Sequence, residues 1–308
     1  MRLVTRSDFD GLACATLLVE EGVVDEYKFV HPKDVQDGKI EVAKNDVLAN
    51  VPYVPGCGLW FDHHSSEHER LQLQRRFNFR GESRPSPSCA RVIFNYYGGK
   101  KRFAKFEDTG LMDAVDKSDT AQFTLEDIMN PQGWVLLSFI MDPRTGLGRY
   151  KDYRISNYRL MEDMIQYCRT MDAQDILEVP DVQERVKRYF NQEKTYEEMI
   201  KANSTVDGNV LIIDLRNVEE IVSGNRFKEY ALYPEANISI RIIWGLNRQN
   251  MVFACGHSII NRTSNTNIGS LMLQKGGGGH PYVGTCQVPI EELERVRDEL
   301  IEQMKRDG

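Results

Sequence analysis

The sequence predicts an α/β protein, with a mostly parallel sheet in its N-terminal part and a smaller, mixed α/β domain at its C-terminal end. Over roughly the first 150 residues, short apolar runs alternate with helical patterns, which is typical of a parallel sheet covered by helices. Beyond a charged helical stretch, β-rich runs resume and further helical patterns follow. A chain of 308 residues is long enough for two domains of ordinary size.

The N-terminal part contains short apolar runs that predict strands: Leu3–Thr5, Tyr27–His31, Val47–Ala49 and Leu59–Phe61. The apolar spacing of Leu12–Glu21 predicts a helix between the first two strands. A second helix is predicted over Ser88–Tyr97, with Ser86 or Ser88 as its N-cap and Gly98 after its end.

A helical and strongly charged stretch follows, from Asp152 to Asn203, with an interruption near Pro180. Acidic and basic residues pair at helical spacing over Glu184–Lys201, which is typical of a solvated helix face. We therefore expect three parts: a domain over residues 1–150, a helical linker over 151–206 and a smaller domain over 207–308.

The C-terminal domain shows three β-rich runs: Val210–Asp214, Ile238–Trp244 and Met251–His257. Helices are predicted over Asn267–Leu273 and over Ile290–Lys305, the latter just after Pro289. Strands and helices thus mix in this domain too.

Composition excludes several function classes. The formal net charge of −7 argues against extensive binding to a polyanionic backbone, although a local pocket for one or two phosphates remains compatible with it. The longest apolar stretch, Trp134–Met141, is far shorter than the roughly 18 residues of a membrane span, and no signal peptide is apparent. Six scattered cysteines indicate free thiols in a reducing cytoplasm.

The first chemical motif is Asp8-Phe9-Asp10-Gly11, which follows a predicted strand. Parallel sheets place ligand sites at the carboxyl ends of their strands, and two carboxylates there suit Mg²⁺ or Mn²⁺. The alternative is that one Asp caps the following helix while the other is solvated.

The second motif is Asp62-His63-His64, at the end of another apolar strand. One imidazole can bind a metal ion while a carboxylate orients its ring, and the other can donate a proton to a leaving oxygen. His68, in a polar stretch, is interpreted as a surface histidine.

The third motif is a run of four glycines followed by His280. Four glycines inside a structured domain cost backbone entropy, and their exposed N–H groups can approach an anion closely. A flexible linker is the alternative, but β-forming sequence resumes at Tyr282-Val283. Upstream, Arg262 supplies a guanidinium that can clamp a phosphate.

These three motifs, in this order, resemble the DHH phosphoesterase superfamily, and the resemblance covers essentially the whole chain, including the family's C-terminal DHH-associated domain. The sequence is most similar to bacterial exopolyphosphatase-related proteins, whose members resemble nanoRNases and 3′-phosphoadenosine 5′-phosphate phosphatases. The resemblance implies Mn²⁺-dependent hydrolysis of phosphoester or phosphoanhydride bonds in a cleft between two domains, often in a homodimer, with Mg²⁺ as the alternative ion.

The resemblance also implies a set of metal ligands. Asp8 and Asp10 match the first ligand motif, and His63 is the expected imidazole ligand. Asp116 best fits the last acidic ligand, with Asp119 as a close competitor, although either Asp can simply end a helix.

The remaining matched positions concern substrate and catalysis. His64 is expected to face the substrate, with Asp62 beside it in the catalytic triplet. Arg262 is the expected companion of the phosphate-binding segment, which consists of Gly276, Gly277, Gly278, Gly279 and His280.

Two positions depart from the family pattern. Arg6 stands where the family usually has His, Asn or Asp, and Asn50 stands where it has a bridging Asp. A guanidinium cannot bind a metal, and a neutral amide is a poor bridging ligand. We expect one tightly bound ion, held by Asp10, His63 and Asp116, with Asp8 at a weaker position and Arg6 replacing the missing positive charge.

Two functions remain open on these residues. The first is a metal-dependent phosphohydrolase acting on polyphosphate, an oligonucleotide or dinucleotide, or 3′-phosphoadenosine 5′-phosphate. The alternative is a protein that binds a phosphorylated ligand or short nucleic acid at a degenerate metal site with little turnover. The retained acids and imidazoles favour the enzyme, since a pure binder has little use for them.

Overall fold

The computed structural model describes residues 1–64, 67, 70–72 and 78–308. The chain forms two compact units: Met1–Gln122 with Pro131–Tyr189, and Phe123–Asn130 with Phe190–Gly308. His68 lies outside the described residues, so its predicted surface position stays a prediction. Within the described part, no helix is both long and apolar enough to cross a membrane.

The first unit contains a five-stranded sheet in the order β2-β1-β3-β4-β5, and every neighbouring pair is parallel. Its strands are β1 (Arg2–Arg6), β2 (Glu26–Val30), β3 (Asp46–Ala49), β4 (Leu59–Asp62) and β5 (Gly81–Ser83). This confirms the predicted parallel sheet. Strand β5 was not predicted, because three residues are too few to show a periodic pattern.

Ten helices, counted over the described residues up to position 202, connect and cover these strands. They are α1 (Phe9–Glu20), α2 (Pro32–Gln36), α3 (Cys89–Tyr96), α4 (Lys100–Asp108), α5 (Leu111–Asp119), α6 (Leu125–Met129), α7 (Gly133–Met141), α8 (Asn157–Thr170), α9 (Ala173–Glu178) and α10 (Pro180–Ala202). Helix α6 belongs to the second unit, and the division between the units falls within α10.

Helix α1 is the central helix of the first unit. All its residues from Phe9 to Leu18 are buried, and it packs against β1 and against α3, α5 and α8. The apolar cluster that includes Val4, Leu48 and Trp60 fills another part of this core. A helix buried on all sides has no polar face to spare, so its position relative to the sheet is fixed by packing.

The second unit contains a six-stranded mixed sheet in the order β10-β11-β9-β8-β7-β6, in which only β7 and β8 pair in parallel. Its strands are β6 (Ser204–Asp207), β7 (Val210–Asp214), β8 (Ile238–Trp244), β9 (Met251–His257), β10 (Gly278–His280) and β11 (Val283–Val288). The three β-rich runs predicted from the sequence are confirmed as β7, β8 and β9.

The helices of the second unit's C-terminal segment are α11 (Lys228–Leu232), α12 (Ile268–Leu273) and α13 (Leu293–Asp307). Residues of α12 and α13 share one buried cluster with β7, β8, β9 and β11. The predicted final helix begins with a 3₁₀ turn at Ile290–Glu292 and becomes α-helical at Leu293.

Candidate metal centre

The carboxyl ends of three parallel strands meet at one edge of the first unit's sheet. Thr5 of β1 pairs with Ala49 of β3, and Ala49 pairs with Phe61 of β4. The residues that follow each strand therefore emerge side by side, although they are far apart in the sequence. This register brings the segments that contain Asp8, Asn50 and His63 to the same edge, as the motifs predicted.

Asp10 is held in place by the N-terminus of α3. Its Oδ2 accepts a hydrogen bond from the Cys89 amide at 3.0 Å, and its Oδ1 accepts one from the Ala90 amide at 2.8 Å. Ser88 caps α3 by accepting from the Arg91 amide, which confirms Ser88 as the cap. Asp10 is only 3% exposed, so these amides fix the orientation of its carboxylate.

His63 presents one ring nitrogen to two carboxylates. Its Nδ1 lies 3.1 Å from the Ser86 carbonyl oxygen, a contact that places the proton on Nδ1 and the lone pair on Nε2. The Nε2 atom lies 3.2 Å from Asp119 Oδ2 and 3.8 Å from Asp10 Oδ2. Although buried, Nε2 makes no contact with hydrogen-bond geometry to any described residue.

Asp10, His63 and Asp119 form a cluster that fits a divalent cation. Their ligand atoms all lie within 4.8 Å of one another. Adjacent ligands on an octahedral ion, at about 2.1 Å from it, lie roughly 3 Å apart, so small shifts would suffice. Two carboxylates with one imidazole suit first-row divalent ions and Mg²⁺, and the unsatisfied Nε2 of His63 is the atom that such an ion would engage.

The two candidate acids on α5 have different environments. Asp119, its last residue, faces His63 and belongs to the cluster. Asp116, the preferred candidate from the sequence, accepts instead from Ser88 Oγ at 2.6 Å and from Arg91 Nε at 2.7 Å. The geometry therefore favours Asp119 as the ligand, while Asp116 ties α5 to the start of α3.

Asp8 is engaged by the protein on both of its oxygens. Oδ1 accepts from the Gly11 amide at 2.9 Å and from Asn50 Nδ2 at 3.3 Å, while Oδ2 lies 2.8 Å from Arg6 Nε. Asp8 is thus the N-cap of α1, the alternative that the sequence left open for one of the two acids. Gly11 permits this sharp turn, because a Cβ there would lie 1.9 Å from the Arg6 carbonyl oxygen.

Asn50 contributes a second unsatisfied atom. The residue is 2% exposed, with a positive φ of 55°, and its Oδ1 has no hydrogen-bond partner among the described residues. An amide oxygen is a neutral ligand that hard cations accept. The region around Asp8 therefore offers a cation one neutral oxygen and one carboxylate that Arg6 already neutralises.

Asp62 and His64 form a hydrogen-bonded pair beside the cluster. Asp62, which is fully buried, lies with Oδ1 3.0 Å from His64 Nδ1, and its Oδ2 accepts from the His64 amide at 3.2 Å. Burial lowers the pKa of His64, but the hydrogen bond and charge of Asp62 outweigh it and the pKa is raised. The protonated imidazole is thus stabilised, which suits a general acid.

The clustered acids are held in an unfavourable environment without a cation. Burial raises the pKa of Asp10 against the opposing charge of His63, and the Asp8 carboxylate adds to the rise. Burial, followed by the charges of Asp10 and Asp8, holds the pKa of Asp119 well above its usual value. A divalent cation would relieve both the desolvation and the repulsion.

Arg144 is a basic residue near this site that the sequence analysis missed. It lies in the turn Pro143–Thr145 after α7, and its Nε donates to Asp142 Oδ1 at 2.8 Å. Burial opposes its charge, but nearby carboxylates outweigh burial and raise the pKa of the guanidinium. Those carboxylates are Asp142, Asp8 and Asp119. The Asp-Pro-Arg sequence carries only a turn signal, so its place beside the cluster depends on the fold.

The glycine segment forms an ordered strand in the second unit. β10 pairs antiparallel with β11 and lies at one end of the strand order. A Cβ at Gly277 would lie 2.1 Å from the Thr285 carbonyl oxygen, and one at Gly279 would lie 2.3 Å from that of Val283, so packing explains these two glycines. At Gly278 a Cβ would meet only open space, so packing does not require a glycine there.

The two other residues predicted for phosphate binding are exposed. His280 ends β10, and Arg262 lies in the segment between β9 and α12, where its Nε donates to the Ile259 carbonyl oxygen at 3.0 Å. The segment is thus an ordered hairpin strand and not a flexible linker.

Comparison with known proteins identifies similar structures. No protein-family model and no curated protein matches the sequence. The pGpG-specific phosphodiesterase PggH from Vibrio cholerae is 49% identical, with a TM-score of 0.85, and the match covers 100% of this chain and 99% of that chain. The DHH domain of a member of a ribosomal protein family matches 100% of this chain and 87% of its own, at 12% identity and a TM-score of 0.55, which shows a shared fold.

The full-length match to PggH joins the arrangement of Asp10, Asp62, His63 and His64 at the strand ends as evidence for one family. The fold likeness to the DHH domain agrees with it. The chain belongs to the DHH family of phosphoesterases.

Proposed function

We propose that this protein hydrolyses the phosphodiester bond of pGpG or a closely similar linear dinucleotide, with a divalent cation held by Asp10, His63 and Asp119. The observation that carries the proposal is the 49% identity to a pGpG-specific phosphodiesterase over the whole chain. The three-residue cluster supports it, because phosphodiester hydrolysis needs positive charge next to the reacting phosphate. The imidazole nitrogen of His63 in this ligand set favours Mn²⁺ over Mg²⁺.

The bound cation would supply Lewis-acid stabilisation of the phosphate and lower the pKa of the attacking water. Asp10 and Asp119 orient that ion through their carboxylates, and the contact of His63 Nδ1 with Ser86 keeps Nε2 directed at it. The protein's contribution is a preformed and largely buried geometry.

His64 is the proposed general acid. Its Nδ1 is engaged by Asp62, so the proton that reaches the leaving oxygen comes from Nε2. Asp62 stabilises the imidazolium before the transfer and holds the ring through its second oxygen. Arg6, paired with Asp8, adds positive charge where the substrate phosphate approaches.

Arg262, Gly276–Gly279 and His280 are the proposed substrate contacts of the second unit. Gly278 offers a clean test of this role, since a methyl group fits there without contact within 4 Å. Gly278→Ala should leave the unfolding temperature unchanged but raise the KM for pGpG, because the added Cβ keeps a phosphate from the backbone. An unchanged KM would remove the glycine segment from the substrate site.

The central experiment is product release from a panel of substrates with Mn²⁺ or Mg²⁺, using Asp10→Asn as the blank. The panel contains pGpG, pApA, a cyclic dinucleotide, 3′-phosphoadenosine 5′-phosphate and polyphosphate. Preferential cleavage of pGpG would support the proposal, and binding without cleavage of any member would favour the phosphorylated-ligand binding protein instead. The pairing of Asp8 with Arg6 is the feature that keeps this second function in view.

Three further implications of the family resemblance stay predictions: a homodimer, a cytoplasmic location and exopolyphosphatase activity. Light scattering of the purified protein tests the first, cell fractionation the second, and the polyphosphate arm of the panel the third.

A further inference from the structure

The turn that carries Arg144 is rigidly built. Asp142 caps it by accepting from the Arg144 amide at 2.9 Å as well as from Arg144 Nε at 2.8 Å. The hydroxyl of Thr145 donates to the Phe139 carbonyl oxygen at 2.6 Å, and Thr145 itself is buried. The backbone and the first part of the arginine side chain are therefore fixed before any ligand binds.

The outer part of the Arg144 side chain is available for a ligand. Its two terminal amino groups have no partner among the described residues, and 55% of the side chain is exposed. The charges of Asp8 and Asp119 nevertheless reach it, so it lies beside the metal centre and not on a remote surface.

Arg6 and Arg144 share one arrangement. Each pairs through Nε with a carboxylate two residues away in the sequence, Arg6 with Asp8 and Arg144 with Asp142. Pairing through Nε leaves the planar pair of Nη groups to bind a further anion. Such a fork matches two oxygens of one phosphate.

Formal charges at the site show why a second arginine matters. The carboxylates of Asp8, Asp10 and Asp119 carry −3, and one divalent cation brings the sum to −1. Protonated His64 and Asp62 cancel each other. A sum of −1 repels a phosphodiester anion, one arginine gives zero, and two give +1, which attracts it.

We propose that Arg144 binds the non-bridging oxygens of the substrate phosphate and forms a two-arginine clamp with Arg6. The assignment rests on the proposed function for the identity of the substrate, but the ligand chemistry is a phosphate group held near the metal centre. Arg144 is then a substrate-binding residue of the first unit, in addition to those already proposed.

The test compares Arg144→Gln and Arg144→Lys with the wild type and with Arg159→Gln as a control. Arg159 has a similarly exposed side chain (61%) and pairs with acids on its own helix, α8. Calorimetry measures the affinity of the Mn²⁺-loaded protein for GMP, which carries a phosphate, and for guanosine, which does not. Steady-state kinetics with pGpG, metal content and unfolding temperature complete the set.

Arg144→Gln should weaken GMP binding and raise the KM for pGpG by about 10- to 100-fold, the loss expected for charge-assisted hydrogen bonds. Arg144→Lys should lose less, because it keeps the charge without the fork. Guanosine binding, Mn²⁺ content and unfolding temperature should not change, and Arg159→Gln should match the wild type in every measurement.

Equal GMP affinity in Arg144→Gln and wild type, or loss of Mn²⁺ from the variant, would overturn the proposal. If Arg144→Gln unfolds at a lower temperature, Arg144→Lys becomes the deciding variant, and wild-type GMP affinity there with a normal fold overturns the fork. A wild type that binds GMP through Arg144 but does not cleave pGpG would contradict the proposed function alone. Cleavage of pGpG unaffected by either substitution would contradict the clamp alone.

Discussion

Asp8 and Asp10 stand two residues apart in one motif, yet their surroundings differ completely. Asp10 receives two backbone amides from α3 and shares its space with His63 and Asp119, so its region carries excess negative charge. Asp8 caps α1 and pairs with Arg6, so its charge is already balanced. A shared motif therefore does not imply shared roles: one carboxylate is prepared for a cation and the other for holding the strand–helix turn.

The strongest test of this contrast is to neutralise each acid in turn. Asp10→Asn should abolish detectable Mn²⁺ binding and lower kcat by about 10³-fold or more, because the ion supplies most of the charge stabilisation. Asp8→Asn, which keeps a helix-capping oxygen, should retain the tight ion and lose about tenfold at most. Metal analysis and kcat for both variants check this, and equal losses would show that the two acids act alike.

The acids on α5 extend the contrast to a second pair. Asp119→Asn should lower the affinity for Mn²⁺ and the activity by about 10²-fold, since it removes a charged ligand. Asp116→Asn should instead lower the free energy of unfolding by about 1–3 kcal/mol, because it weakens the charged hydrogen bonds to Ser88 and Arg91 while the site keeps its ion. Calorimetric Mn²⁺ titration and thermal unfolding separate the two, and the reverse pattern would return Asp116 to the ligand set.

The pH dependence of metal binding provides a third test. The pKa values of Asp10 and Asp119 are raised in the metal-free protein, so these carboxyls keep their protons above the usual pKa of about 4. A cation must displace those protons, so its affinity should rise with pH, by about tenfold per pH unit for each proton released. Titrations at several pH values measure the slope, and an affinity independent of pH would contradict the shifts.

The region around Asp8 can be tested in the opposite direction. Arg6→His with Asn50→Asp should increase the number of bound Mn²⁺ ions from one to two, because it replaces a cation and a neutral amide with ligands. The second ion's affinity should rise by about tenfold, the smallest of these effects. Elemental analysis after dialysis counts the ions, and two tight ions in the wild type would already contradict the contrast between Asp8 and Asp10.

Sequence reasoning located the metal centre through motifs at strand ends. Asp10 and His63 follow short apolar strands, and parallel topology alone brings such strand ends to one edge. The choice between Asp116 and Asp119 depends on how α5 is rotated and on Ser88 and Arg91, which lie more than twenty residues away in the sequence. No local pattern records that rotation.

The other misses have equally physical causes. No bounds were predicted for α4, whose mostly charged sequence has only Phe103 and Phe106 buried. Arg144 carried no signal because its neighbours in space, Asp8 and Asp119, come from other elements. The glycine segment was correctly predicted as ordered, but close backbone packing of Gly277 and Gly279 can only be seen once β10 and β11 are paired.

The start of α3 links the ligand Asp10 to the brace at Asp116. Its first two amides hold Asp10, and the Ser88 hydroxyl that caps it also donates to Asp116. A change anywhere along this short relay, even one remote from the ion, would tilt the Asp10 carboxylate. Variation in ion affinity among relatives of this protein can therefore originate in the helix cap while every ligand stays the same.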